Sequence, residues 1–367
     1  MMSTFDTFNA VLKKSIEVKA SDIHITAGSP FRLRVQGRIV PVQGVDALKP
    51  QDTELIAGEI LIAAKKANRE NVQNIMENLK DFDCSYSLAQ VSRFRVNICS
   101  QRGSLALVLR TIPFTIPDFE KLGLPEVTKE IALEERGLIL LTGVTGSGKS
   151  STLAAMIAHV NQHKAGKIVT IEDPIEFLHR DAKCSVIQRE LGADTESFGR
   201  ALRAALRQDP DVILVGEMRD KETIDIALKA AETGHLVFST VHTTDAPKTI
   251  SRLISVFEAS EQSATRQRLA ETLCAVISQR LLPRKDGNGR VVAVEVMRRT
   301  KTIQDCIENP DKTANIKDFL EKGRDQYGMQ TFDQHLTELF QKDLVSLEVA
   351  KSAATSPADF ERNLQYQ

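Results

Sequence analysis

The sequence predicts an α/β chain: a parallel-sheet core organised around a glycine-rich loop, preceded by a smaller α+β domain and followed by C-terminal helices. Three observations carry this. From Gly137 to His242, apolar runs of strand length alternate with helical stretches, the pattern of a parallel sheet covered on both faces. Between the first such strand and the first helix lies Gly143-Val144-Thr145-Gly146-Ser147-Gly148-Lys149-Ser150, a G-x-x-x-x-G-K-[ST] run in strand–loop–helix context. Before residue 110 the strands are instead joined by tight turns, which implies an antiparallel sheet.

Taken in order, Phe5, Phe8, Leu12 and Ile16 recur at helical spacing. Residues 22–26 alternate like a strand, and residues 31–42 alternate around Gln36-Gly37 like a hairpin. Residues 53–64 and 71–79 read as helices. Residues 93–98 and 105–109 flank Gln101-Arg102-Gly103 and form a second hairpin. The segment Ile112-Pro113-Phe114-Thr115-Ile116-Pro117 carries two prolines in six residues and cannot be helix interior. Residues 1–111 are therefore expected to form one domain, 112–120 a linker, and 121–367 the second domain. In the latter, residues 137–141, 167–172, 212–215 and 235–242 read as strands. Residues 150–159, 197–208 and 222–233 read as helices, the last closed by Gly234. From about Ser260 the chain reads as mostly helical, apart from a strand over residues 291–296.

A length of 367 residues suits two domains. Hydrophobic residues make up 42% and charged residues 26%, ordinary for a globular protein. The net charge of −1 argues against a general nucleic-acid binder, though not against a local basic groove. No apolar run approaches the ~20 residues that span a bilayer, and residues 1–10 lack the pattern of a signal peptide. The five cysteines, at 84, 99, 184, 274 and 306, include no C-x-x-C pair; reduced thiols near the core are expected.

The glycine-rich run has the chemistry of a phosphate cradle. Glycines let backbone N–H groups curl around phosphate oxygens, and the following helix adds its positive N-terminal end. Gly143, Thr145, Gly146, Ser147 and Gly148 form the loop, and Lys149, Ser150 and Ser151 open the helix. Lys149 can reach the β- and γ-phosphates of ATP, and the Ser150 hydroxyl can ligate Mg²⁺. Asp211-Val212-Ile213-Leu214-Val215-Gly216-Glu217 is an apolar strand ending in a carboxylate, the arrangement that sits near Mg²⁺ and its water in P-loop enzymes. Ile171-Glu172-Asp173-Pro174 ends a neighbouring strand in the same way. Ligands of open α/β sheets bind at the carboxyl ends of strands, so Glu172 is placed to accept a proton from an attacking water; a helix cap or surface acid is the alternative. His235 and His242 bracket one strand, seven residues and about 23 Å apart along it, on opposite faces. They cannot both touch one phosphate, and a structural role is open for either.

These boxes, with Ile175-Glu176-Phe177 following the second and Thr233-Gly234 leading into the histidine box, resemble those of the secretion-ATPase superfamily, and within it the type IV pilus retraction ATPases. The likeness extends to Ser21-Asp22-Ile23-His24-Ile25, Ile277-Ser278-Gln279-Arg280-Leu281-Leu282-Pro283 and residues 328–334. The resemblance implies a PAS-like N-terminal domain, a RecA-like second domain and a homo-hexameric ring that hydrolyses ATP with Mg²⁺. It implies that Glu172 is the base, that Glu217 belongs to the Mg²⁺ environment, and that His235 and His242 are coupling elements. It also implies that Arg95 and Arg110 approach the nucleotide from the N-terminal domain. Independently, residues 91–110 hold four arginines and no acid, a pattern that an ordinary solvated basic face would also give. The implied partners are an inner-membrane pilus platform protein and, as a second candidate, a paralogous ATPase. No nucleic acid and no direct membrane insertion are expected, with a cytoplasmic location at the inner membrane reached through those partners.

The four-cysteine insert and extra N-terminal domain of extension-type relatives are absent, which favours the retraction branch. One departure stands out. Retraction members carry Ala-Ile-Arg-Asn-Leu-Ile-Arg-Glu where this chain has Thr302-Ile303-Gln304-Asp305-Cys306-Ile307-Glu308-Asn309. The two arginines have become Gln304 and Glu308, which opens the alternative of an accessory ring with weak hydrolysis of its own. A nucleic-acid translocase is the other rival, disfavoured by the near-zero charge.

Overall fold

The structure, a computed structural model, describes residues 3–89, 91–112 and 115–365. It divides into two compact units, residues 1–115 with 176–178, and residues 116–175 with 179–367. Of the expected linker, Pro113 and Phe114 lie outside the described residues.

In the first unit, Ser3 caps the helix Thr4–Glu17 in a reciprocal pair with Asp6, and Phe8, Val11 and Leu12 form its buried stripe. Six strands follow: β1 (Asp22–Thr26), β2 (Arg32–Val35), β3 (Arg38–Pro41), β4 (Asp81–Leu88), β5 (Ser92–Gln101) and β6 (Ser104–Ile112). They pair antiparallel in the order β3-β2-β1-β6-β5-β4. Both expected hairpins are present. Their turns place Gln36-Gly37 and Arg102-Gly103 at positive φ, the geometry whose twist matches that of the flanking strands. Phe94, Val96 and Ile98 of β5 and Leu105, Leu107 and Leu109 of β6 face the core, with the helices Pro50–Ala63 and Val72–Asn78 completing the unit. Sequence periodicity passed over β4. It is an edge strand whose apolar residues are only Phe82, Cys84, Tyr86 and Leu88, alternating with Asp81, Asp83, Ser85 and Ser87.

The second unit holds β7 (Gly137–Thr142), β8 (Gly166–Glu172), β9 (Cys184–Glu190), β10 (Val212–Val215), β11 (Leu236–Val241), β12 (Leu273–Pro283) and β13 (Arg290–Arg298). Their order is β13-β12-β7-β11-β10-β8-β9, all parallel except β13, which runs antiparallel to β12. Every residue of β7, β10 and β11 is buried, because helices cover both faces. One face is packed by the helices Phe198–Ala205, Lys221–Glu232, Ala246–Ser255 and Ala259–Thr272, and the other by Lys149–His163. Fully burying each such Val, Leu or Ile contributes roughly 1.5–3 kcal/mol.

The expectation of a mostly helical chain after Ser260 is corrected here. Residues 273–283 form β12, which lies between β7 and β13 and extends the sheet beyond the P-loop strand. Leu273 to Gln279 are all buried, so a continuous apolar run marked a central strand rather than a helix. The strand at 291–296 is present and longer, as β13. Helices Lys301–Glu308, Ile316–Lys322, Phe332–Gln341, Leu347–Ala353 and Pro357–Gln365 follow.

Candidate functional site

The P-loop leaves the buried end of β7 at Thr142 and turns into the helix Lys149–His163 through Gly148, the residue before the first helical position, at φ +92°. Gly143 has φ +144°, and a Cβ there would lie 2.5 Å from Ser147 Oγ and 2.6 Å from the carbonyl oxygen of Gln279. Only glycine fits. Lys149 is folded back over the loop, its Nζ donating to the carbonyl oxygens of Gly143 at 2.8 Å and Val144 at 3.0 Å. Ser147 is buried, and its Oγ is one of the buried side-chain atoms without a hydrogen-bond partner. A loop closed to a Cβ at Gly143, a buried orphan hydroxyl and a lysine curled over the loop fit a polyphosphate. Thr145 and Gly146 are exposed on the loop, and Ser150 and Ser151 are half-buried at the helix start.

Sheet order brings the two remaining boxes to the same edge. Val241 is the register partner of Thr142, so His242 leaves β11 beside the point where Gly143 leaves β7. Glu217 follows β10, the next strand across; its Oε2 lies 2.7 Å from Arg219 Nη2 and 3.7 Å from His242 Nε2. Burial, then the nearby Lys149 ammonium, holds His242 below its ordinary 6.5, with Glu217 pulling the other way. The shift favours the neutral form of His242. Glu172 ends β8, adjacent to β10; Gly216 donates its N–H to Ile171 O at 2.7 Å, and a Cβ on Gly216 would touch Glu172 Cα. The Glu172 Oε1 accepts hydrogen bonds from Thr170 Oγ1 at 2.6 Å and Gln188 Nε2 at 3.1 Å. In strand order β8 stands three spacings from β7, about 14 Å. Glu172 thus approaches from the far side of the site and Glu217 from between.

His235 is not brought to this edge. It sits at the amino end of β11, where its Nδ1 lies 2.9 Å from Ala230 O and 3.2 Å from Thr233 Oγ1, and its carbonyl accepts the Gly137 N–H. It joins the end of the helix Lys221–Glu232 to the strand, and it does not meet the P-loop.

In the first unit, Arg95 and Arg110 are direct cross-strand partners on the open face of β5 and β6, both exposed. Arg110 Nε donates to Asp22 Oδ1 at 3.0 Å, and Arg34 lies 3.7 Å from the other oxygen. Burial alone would raise the Asp22 carboxyl, but hydrogen bonds from Ser21 and Arg110 outweigh it and hold it below its ordinary value.

Sequence reasoning missed three contributors. Gln188 steadies Glu172, Arg219 pairs with Glu217, and Gln279 spans from β12 to the P-loop helix through Thr152 Oγ1 at 2.8 Å. Arg219 was legible as the residue two past Glu217; the others depend on strands that periodicity did not reveal. Among the described residues, no group of three or more His, Cys, Asp or Glu side chains converges to hold a metal ion. The Ser150 hydroxyl, half-buried at the helix start, is the side chain here that could ligate a Mg²⁺ brought with phosphate, the ion keeping waters for most of its other positions.

Fold and site together define a P-loop ATPase with a RecA-like core. The chain matches the Type II/IV secretion system protein family over residues 3–361 and belongs to it. It is 45% identical to the type IV pilus retractation ATPase PilT of Pseudomonas aeruginosa, over 95% of this chain and 98% of that one. It is 38% identical to the type IV pilus ATPase PilU of the same species, over 96% and 90%. Among solved structures, the pilus retraction motor PilT with bound ADP superposes with a TM-score of 0.86 at 43% identity, covering 96% of this chain and 98% of that one. Among the described residues no helix is long and apolar enough to cross a membrane.

Proposed function

We propose that the chain is an ATP-hydrolysing motor of the type IV pilus retraction kind, the engine of twitching motility. The observation that carries this is the gathering of Lys149, Glu217 and His242 at one sheet edge in a chain similar to a retraction ATPase over nearly its whole length. The N–H groups of residues 143–151 and the Lys149 ammonium hold the phosphates. The Ser150 hydroxyl and Glu217 would hold Mg²⁺, which would supply positive charge to the phosphoryl group being transferred. Glu172, its carboxylate fixed by Thr170 and Gln188, takes the proton of the attacking water. His242 couples the state of Glu217 to β11, and His235 passes it to the helix Lys221–Glu232 at the strand's other end. Arg95 and Arg110 supply positive charge to the transition state.

The assembly proposed is a homo-hexamer, with residues 1–111 as a PAS-like domain, 112–120 as hinge and 121–367 as the ATPase domain. Hydrolysis shifts the domains through differential contacts to ATP and ADP. The partner is an inner-membrane platform protein of the pilus, reached from the cytoplasm without insertion and without nucleic acid. Gln304 and Glu308 favour a second reading, an accessory ring acting beside a paralogous retraction ATPase.

The test is ATPase activity across a gel-filtration profile with Mg²⁺. Glu172→Gln is expected to bind ATP and lose turnover, because it keeps the shape and removes the base. Normal turnover in Glu172→Gln with a dead Glu217→Gln moves the base to Glu217. Mixing inactive Lys149→Ala and Arg95→Ala subunits restores activity if sites are shared between subunits, and restores none at any ratio if they are not. A wild-type ring with feeble turnover selects the accessory reading.

A further inference from the structure

One buried carboxylate has no part in the mechanism above. Glu295 lies mid-way along β13 in the apolar run Val291 to Met297 and is 4% exposed. Its register partner on β12 is Ser278, whose partner on β7 is Thr142, whose partner on β11 is Val241. All four are buried and point to one face of the sheet. Thr142 is the last residue before the P-loop and Val241 the last before His242. The row Val241–Thr142–Ser278–Glu295 is therefore the layer of the sheet directly beneath the nucleotide-binding loops.

From that row Glu295 Oε1 accepts the backbone N–H of Ala246 at 2.8 Å and the Ser278 hydroxyl at 3.1 Å. Ala246 is the first residue of the helix Ala246–Ser255 and is completely buried, so no water is there to satisfy its N–H. The chain from His242 to Asp245 is thus held at both ends: by sheet pairing at Val241 and by Glu295 at Ala246. Asp245 caps the same helix independently, accepting from Lys248 N at 2.9 Å. Burial pushes the Glu295 carboxyl up to about 7, with Asp245 adding a like charge, while the Ala246 and Ser278 hydrogen bonds and Arg280 on β12 oppose the shift. Burying an acid is costly, and the bond to Ala246 is what the position gains.

We propose that Glu295 is a positioning residue of the ATPase site: from the edge strand it pins the start of the helix Ala246–Ser255 and so fixes the four-residue loop that sets His242 against Glu217. Its effect on turnover rests on the ATPase reading of the site; its effect on the loop does not.

The experiment compares Glu295→Leu, which fills the space without an acceptor, with Glu295→Gln, which keeps one, in the full-length chain. Hydrogen exchange of peptides covering residues 242–249 is followed by mass spectrometry, beside steady-state ATPase. Glu295→Leu is expected to speed exchange in that segment and to lower kcat about 10–100-fold with KM for ATP within about threefold. Glu295→Gln is expected to restore both. Because the residue acts through His242, adding Glu295→Leu to His242→Ala should lower kcat little beyond His242→Ala alone. If Glu295→Leu does not assemble, Glu295→Asp, which withdraws the carboxylate by one methylene, is expected to give the same pattern. Unchanged exchange at residues 242–249 overturns the proposal whether or not the wild type hydrolyses ATP. So does a kcat loss that adds in full to that of His242→Ala. Faster exchange together with an inactive wild type keeps Glu295 as the anchor of the loop and overturns only the ATPase reading.

Discussion

The two glycines Gly143 and Gly146 belong to one motif, yet the structure separates the consequences of giving each a side chain. Alanine at Gly146 meets positive φ (+79°) but no atom within 4 Å. Its cost is conformational, roughly 1–2 kcal/mol. Alanine at Gly143 meets the φ of +144° and two obstacles, Ser147 Oγ at 2.5 Å and Gln279 O at 2.6 Å. The serine can rotate. The carbonyl cannot, because Gln279 lies within β12, paired to β13 on one side and next to the β7 pairing on the other. Restoring a contact of 3.4 Å from 2.6 Å requires the loop to move by roughly 0.8 Å. Backbone strain of roughly 1–3 kcal/mol and a similar overpacking term therefore fall on the segment that must cradle phosphate. Taking about 3 kcal/mol as the share borne by binding, Gly143→Ala should raise the Kd for ATP on the order of 100-fold, and Gly146→Ala by about tenfold or less. Equilibrium titration with a fluorescent ATP analogue and Mg²⁺ measures this, with melting temperatures to confirm folding. A folded Gly143→Ala that binds within threefold of wild type would falsify the account of the loop as a cradle wedged against β12.

Further outcomes follow from the C-terminal region. His335 accepts the Val294 N–H through Nδ1 at 2.9 Å, and burial depresses its pKa from 6.5 to about 4. Between those values the unfolded chain binds the extra proton, so this stability is complete above pH 6.5 and is lost as pH falls through 4. It amounts to about 3 kcal/mol in all. His335→Gln, which keeps an acceptor, should show a smaller fall in melting temperature from pH 7 to pH 5 than wild type; an equal fall excludes His335 as the acid-sensitive group. On the helix Lys301–Glu308, Ile303, Cys306 and Ile307 are buried while Glu308 is exposed and Gln304 half-buried. Gln304→Arg with Glu308→Arg should therefore leave ATPase within about twofold, under about 0.5 kcal/mol in barrier, and change pilus retraction in cells. A large fall in ATPase of an assembled ring makes this face part of the motor cycle.

What sequence could deliver depended on how local each feature is. The P-loop, Glu217 and His242 were legible because each is a short signal at the end of an apolar strand, and the sheet gathers strand ends by geometry alone. The spacing of His235 and His242 already separated them, and the structure leaves His235 at the other end of β11. The edge strand β4 was hidden by its many polar residues, and β12 because an apolar run following a helix does not declare its own period. With β12 unseen, neither the wall behind Gly143 nor Gln279 could be placed. The pairing of Gln188 with Glu172 and of Glu295 with Ala246 joins residues 16 and 49 positions apart, which no local pattern encodes. Glu295 did leave a trace, as the single acid inside an apolar strand.

The Lys149 ammonium is bonded to two carbonyl oxygens of its own loop. On the proposed function, capture of a nucleotide trades acceptors, carbonyl for phosphate, and the gain is only the difference between them. The same trade runs backwards when product departs: the leaving phosphates are replaced by acceptors already at hand, and the loop need not be rebuilt between turnovers. On the proposed function, a lysine with acceptors in its own loop limits the depth of the product well.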